Sequence, residues 1–290
     1  MARWPRTERG RWLALLITTL APAAPADEGL APAIAFARHG EPVVSLDLDA
    51  LRERVAPVTV RVHEPYEGRE ASFRALPFAA VLDAAYGPGW RSEEELLFTC
   101  RDGYQPSVPV ARVLAHRARL AFARADQERF TIRKLESGAH RDVELSPFYL
   151  VWENLDDTAL RQEADYGWPY QVVGVDLIRA RDRFPRMAPP PGAGPEVLAG
   201  FAAFRVHCSR CHALNGEGGS IGPELNAAAS PLELRGRDWL RTWIADPSRI
   251  LPTARMEPLN PALPDRERTI DEILAYLEAM ASTGSRTREP

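Results

Sequence analysis

Cysteine is almost missing from this 290-residue sequence, which holds three, at positions 100, 208 and 211. So few thiols exclude a disulfide-stapled scaffold. Basic excess is missing too. Against 36 Lys and Arg stand 40 Asp and Glu, a net charge of −4, so overall charge supplies no footprint for nucleic acid or an anionic membrane surface. Long apolar runs are lacking as well: WLALLITTLA at 12–21 falls far short of the ~20 residues that span a bilayer. Methionine is scarce, at four, and no internal repeat is visible. What is present is a 45% hydrophobic content, enough to bury one large domain or two ordinary ones.

The short apolar run gains meaning from its neighbours. Arg3, Arg6, Arg9 and Arg11 precede it and Ala24-Pro25-Ala26 follows, the order of charged region, apolar region and cleavage site found in secretory signal peptides. The expectation is removal of residues 1–26 and export of the remainder to the periplasm, without a stable membrane span. A retained anchor is the rival, disfavoured by length. No adjacent arginine pair is present, which favours general secretion of an unfolded chain.

APPPGAGP at 188–195 divides the exported part, and its composition implies a semi-rigid spacer of roughly 3 Å per residue. Before it, in 27–187, VTVRV (58–62) alternates as a half-buried strand does, and LLFTC, FTIRKL, FYLVW and YQVVGVDLI carry further strand signals. Helical period is confined there to 76–85 and 110–116. Beyond the spacer the apolar spacing turns helical, at Val197, Leu198, Phe201 and Phe204, at Trp239, Leu240, Trp243 and Ile244, and at Ile270, Ile273, Leu274 and Leu277. The expected fold class is therefore two domains: an N-terminal α+β domain, mainly β, followed by an all-α domain at 196–283 with a tail at 284–290.

The two clustered cysteines lie in HCSRCHALNGEGG, residues 207–219. C-x-x-C-H is the attachment signature of c-type haem. Two thiols add to the two porphyrin vinyl groups, their one-turn separation brings both sulfurs to one edge of the macrocycle, and the histidine becomes the proximal iron ligand. The residues for these roles are Cys208, Cys211 and His212. A redox dithiol would need a βαβ context and structural zinc a second Cys/His pair; neither accompanies this motif. For the sixth iron position, Met1 leaves with the leader, Met187 lies at the domain boundary and Met280 ends the last helix. Met256, in the loop SRILPTARMEPLNP, is the candidate, and a thioether ligand raises the reduction potential relative to bis-histidine ligation. An open position or a histidine is the alternative, although His207 is held on the attachment side by its adjacency to Cys208.

Residues 196–283 resemble a class I cytochrome c domain. The likeness rests on Phe204 before CSRCH, Gly222-Pro223 in SIGPELN after it, a tryptophan-bearing middle helix, the methionine loop and the closing TIDEILAYLEAM with Tyr276. It implies that the first and last helices cross and that the Gly222-Pro223 carbonyl orients the imidazole of His212. The family often has Met followed directly by Pro, whereas this chain has Met256-Glu257-Pro258. The stretch from Ala33 to Asp182 is similar to the molybdopterin-binding domain of the sulfite oxidase family, through LLFTCRDGYQPSVP (96–109), SPFYLVWEN (146–154) and YGWPYQVVGVDL (166–177). That resemblance would make the Cys100 thiolate a molybdenum ligand. Against it stand the short domain, the missing set of arginines and histidines for a pterin phosphate, and the export of an unfolded chain. Molybdopterin is thus possible but not favoured, and Cys100 reads as a small buried apolar residue.

The expected function is single-electron transfer by one covalently attached haem c, between redox partner proteins, with the N-terminal domain as a docking or accessory module. No catalytic residue is assigned. Asp102-Gly103-Tyr104 reads as a turn, Tyr149, Trp152, Trp168 and Tyr170 as core, and Asp156-Asp157 as a solvated pair. Arg210, Arg235, Arg237 and Arg241 are either a docking face or ordinary surface cations. The rival is a sulfite-oxidase-like molybdenum oxidoreductase feeding its own haem, and a partner-binding sensor or assembly factor is a third possibility.

Overall fold

Strand β5 (Glu95–Cys100) has no hydrophobic alternation because both of its faces are covered. In the computed structural model, which describes residues 33–286 other than 137–138, 164–166 and 229, Leu96, Phe98 and Cys100 enter one apolar cluster and Leu97 enters another. The expected leader at 1–26 lies outside the described residues. The described residues belong to one compact unit.

The first half builds two sheets. Strands β1 (Ala33–Arg38) and β2 (Glu41–Asp47) lead into α1 (Leu48–Arg54), then β3 (Val58–Glu64), β4 (Arg69–Pro77) and α2 (Phe78–Tyr86). β5 (Glu95–Cys100), β6 (Ser107–Pro109), α3 (Val110–Ala115) and β7 (Ala118–Arg124) follow. The hairpin β8 (Thr131–Glu136) with β9 (Ala139–Glu144), then β10 (Tyr149–Trp152), α4 (Thr158–Gln162), β11 (Val172–Ile178) and α5 (Ala180–Arg183) complete it. One sheet has the order β2-β1-β11-β5-β6, with β1 and β11 parallel; the other, β10-β7-β4-β3, is antiparallel. Val60 and Val62 are buried while Thr59 and Arg61 face out, so VTVRV alternates as its spacing predicts. Tyr149, Trp152 and Trp168 are core residues, and Asp157 caps α4 by accepting from the Leu160 N–H at 3.1 Å.

After residues 188–194 come α6 (Pro195–His207), a two-stranded hairpin of β12 (Ala213–Leu214) and β13 (Glu217–Gly218), α7 (Pro231–Leu234), α8 (Arg237–Ala245) and α9 (Arg266–Arg286). The expectation of an all-α domain here is overturned. The fold is mixed α/β with several sheets: this region carries strands of its own and ends in the single long helix α9. Its apolar cluster also includes Leu97 and Ile178 from the five-stranded sheet, together with Phe184 and Met187. The physical reason is local. Asn215 and Gly216 both adopt positive φ, of 54° and 79°, which turns the chain into a hairpin that helical periodicity does not register.

Helices α6 and α9 meet with almost no spacer. A Cβ placed on Gly200 would lie 1.8 Å from the carbonyl oxygen of Glu272, and Phe204 and Tyr276, both fully buried, bring their rings to 5.3 Å. The Tyr276 hydroxyl donates to the Met187 carbonyl at 2.7 Å, tying α9 to the start of the proline-rich segment. Elsewhere, Glu64 is buried at the end of β3, accepting from the Tyr149 hydroxyl at 2.6 Å and the Glu67 N–H at 2.7 Å. Burial pushes its carboxyl up to about 7 from an ordinary 4.5, against the lowering effect of those hydrogen bonds and of Arg124.

Two outcomes are expected. Gly200→Ala lowers stability by about 1–3 kcal/mol because the helices must separate, although alanine is the better helix former; a thermal scan against Gly89→Ala, where nothing lies within 4 Å of the added methyl, reads it. Folding raises the affinity of Glu64 for its proton, so the stability linked to it is complete below pH ~4.5 and is lost as pH rises toward ~7. Urea midpoints across that window should fall in the native chain and fall less in Glu64→Gln.

Candidate functional site

The end of α6 delivers the CSRCH segment as one tight turn. The Cys208 N–H bonds the Phe204 carbonyl at 2.8 Å, and the N–H groups of Cys211 and His212 both bond the Cys208 carbonyl at 3.0 Å. The next three carbonyls are taken by two other segments. The Gly219 N–H reaches Ser209 O at 2.8 Å, the Gln105 N–H reaches Arg210 O at 2.9 Å, and the Gly222 N–H reaches Cys211 O at 2.8 Å. Cys208 and Cys211 are free thiols, each partly exposed to solvent. Burial pushes the Cys208 thiol up to about 12 and that of Cys211 up to about 11, with Arg210 pulling both down. Both are therefore thiols at neutral pH.

His212 is held from two sides. Its Nδ1 lies 2.8 Å from the Pro223 carbonyl oxygen. A carbonyl only accepts, so Nδ1 carries the proton, and burial lowers the pKa of the ring, which favours the neutral tautomer with a lone pair on Nε2. Gly222 lies against the ring: a Cβ there would sit 2.2 Å from Cε1 and 2.5 Å from Nδ1. Nε2 has no hydrogen-bond partner among the described residues. A histidine oriented through one nitrogen and open at the other is the arrangement of a metal-ligating imidazole. Two thiols one turn apart stand beside it, Cys208 and Cys211. Met256 lies in the loop between α8 and α9, partly buried, and packs on the apolar cluster that contains Phe204 and Tyr276.

The sheet half takes part in this site through residues that sequence reasoning did not assign to it. Gly103, at φ 89°, turns the chain as expected, and also presses on the segment after the motif: its carbonyl accepts from the Ser220 N–H at 3.1 Å, and a Cβ would fall 2.3 Å from Ser220 Oγ. The Arg210 guanidinium lies 5.9 Å from the centre of the Tyr104 ring. Arg205 of α6 donates to Glu95 of β5 at 2.6 Å, and Lys134 of β8 pairs with Glu257 at 2.5 Å. Glu217 accepts from the Arg186 and Met187 N–H groups at 2.9 and 3.1 Å. The signal for Gly103 was its turn residue; Lys134 and Glu257 left no sequence signal, being ordinary charges 123 positions apart.

Other candidates fall elsewhere. Cys100 is enclosed in the larger apolar cluster, where burial and then Asp102 push its thiol well up. Arg237 pairs with Glu278 at 2.7 Å, Arg241 pairs with Glu267 at 2.8 Å and also with Asp271, and Arg235 lies over the Trp239 ring. The His207 side chain makes no hydrogen bond among the described residues, and burial lowers its pKa to about 4. Among the described residues no group of three or more His, Cys, Asp or Glu could hold a bare metal ion, and no helix is long and apolar enough to cross a membrane.

Comparison with known proteins finds no family model that matches the chain and no curated protein that matches it.

The contact between Gly222 and His212 generates a direct test. Gly222→Ala should displace the ring from Pro223, abolishing the downfield Nδ1–H proton resonance of His212 and lowering stability by about 1–3 kcal/mol.

Proposed function

We propose that this chain is a periplasmic monohaem c-type electron carrier, in which Cys208 and Cys211 would form the thioether bonds and His212 and Met256 would ligate the iron. The observation that carries the reading is His212, tied through Nδ1 to Pro223, backed by Gly222 and open at Nε2, one residue from a thiol. Bound haem would supply a one-electron iron couple. The protein's part is to hold the imidazole through Nδ1 so that Nε2 stays free, and to carry a thioether on the Met256 loop packed against Phe204, Tyr276 and the rest of their cluster. No acid, base or nucleophile is required. Its partners in this reading are redox proteins that donate and accept single electrons, and the sheet half is the accessory module that braces the site. The enclosure of Cys100 among apolar side chains supports reading it as a buried thiol rather than a molybdenum ligand.

The test is production with the native leader in a host that matures c-type cytochromes. The purified chain should be coloured, heavier by one haem, and should keep that mass after acid and organic extraction; the double variant Cys208→Ala/Cys211→Ala should lose it. A colourless protein without the added mass overturns the reading. One molybdenum per haem in elemental analysis would move the conclusion to the sulfite-oxidase-like oxidoreductase.

A further inference from the structure

We propose that Lys134, on strand β8, is a positioning residue for the sixth iron ligand, acting through Glu257 on the neighbouring Met256. The inference rests on reading Met256 as that ligand.

The loop around Met256 is tied down at both ends and hardly at all in the middle. The Ala254 N–H bonds Leu251 O at 2.8 Å, and the Leu259 N–H bonds Ile244 O at 3.0 Å, while Arg266 donates to Leu259 O at 2.9 Å and to Ala245 O at 2.5 Å. Between those anchors, Arg255, Met256 and Pro258 make no hydrogen bond among the described residues. Among the described residues the polar tie of 255–258 is the ion pair between Lys134 Nζ and Glu257 Oε1, 2.5 Å long. Its two ends are unequal. The Lys134 side chain is 14% exposed and its ammonium lies 4.8 Å from the centre of the Tyr66 ring, whereas Glu257 is 50% exposed. The cation is thus already fixed on the sheet, with little side-chain freedom left to lose, and the acid is the mobile partner. Tyr66 is itself set edge-on against Tyr170, so the anchor reaches into the sheet core.

Glu257 is the residue that separates Met256 from Pro258. Without it the loop would have no carboxylate at this point, and β8 could exert no pull on the ligand-bearing residue. Lys134 would touch neither haem nor iron; it restricts how far the loop swings.

The experiment uses the haem-loaded chain and follows displacement of the sixth ligand from ferric iron by added imidazole. Lys134→Ala and Glu257→Gln should each speed displacement about two- to five-fold, the population change that an ion pair of this exposure supplies. Lys134→Glu should exceed that through like-charge repulsion. Lys134→Arg should behave as the native chain, and the exchanged pair Lys134→Glu/Glu257→Lys should recover most of the native rate. Rescue by exchange is a response that general loss of folding would not give. Native rates in Lys134→Glu, or no recovery in the exchanged pair, overturn the proposal. Met256→Ala separates the two levels: unchanged haem spectra in that variant would remove the ligand assignment itself, whereas altered spectra beside unresponsive Lys134 variants would remove only the role of Lys134.

Discussion

Four consecutive carbonyls, from Cys208 to Cys211, are each claimed by a backbone N–H, and the rest of the candidate site depends on that constraint. Peptide groups held this way cannot rotate singly, because each rotation would strand an acceptor in a partly buried place. The side chains of Cys208, Cys211 and His212 consequently project from a fixed turn. The thiols remain free, and the imidazole is bonded through one nitrogen only. Rigid backbone beneath uncommitted side chains is what a site needs in order to accept a group from outside without rearranging.

The donors to those carbonyls come from distant parts of the chain. Cys211 and His212 are local, Gly219 and Gly222 follow the β12–β13 hairpin, and Gln105 belongs to the sheet half. The sheet is therefore part of the wall around the motif as well as a neighbour to it. β5 makes this possible: Phe98 packs into the sheet core, Leu97 packs into the cluster shared with α6, α8 and α9, and Glu95 on the same strand receives Arg205. A proline-rich segment lies between the halves in sequence, yet its start is pinned by the buried Met187, whose carbonyl accepts from Tyr276. Wide independent swinging of the halves would break these contacts together.

Much of the secondary structure could be read directly. The strand at 58–62 falls where period two places it, those at 96–100, 148–152 and 170–178 fall on short apolar runs bounded by turn residues, and the helices around Phe204, Leu240 and Leu274 follow period 3.6. β1, β2, β4 and β7 carry weaker alternation and passed unread, as did the Asn215-Gly216 hairpin, although that dipeptide is a turn signal in its own right. The all-α expectation failed at that hairpin, which helical period does not register; periodicity also reports which residues are buried and not which neighbour buries them. Leu97 and Ile178 reach the helices from the sheet, and no helical pattern contains them.

The sequence by itself determined the chemistry on offer: two thiols one turn apart with a histidine beside them, a glycine and a proline ten and eleven residues beyond that histidine, and a single loop methionine. Such spacing is local, and local geometry follows from the chain's own dihedrals. Tertiary structure alone decided that Gly222 would lie against the His212 ring, that Gln105 would cap Arg210, and that Lys134 would meet Glu257. Those contacts join residues from ten to more than a hundred positions apart. They exist because two apolar clusters share one strand, and that sharing leaves no repeating mark along the chain.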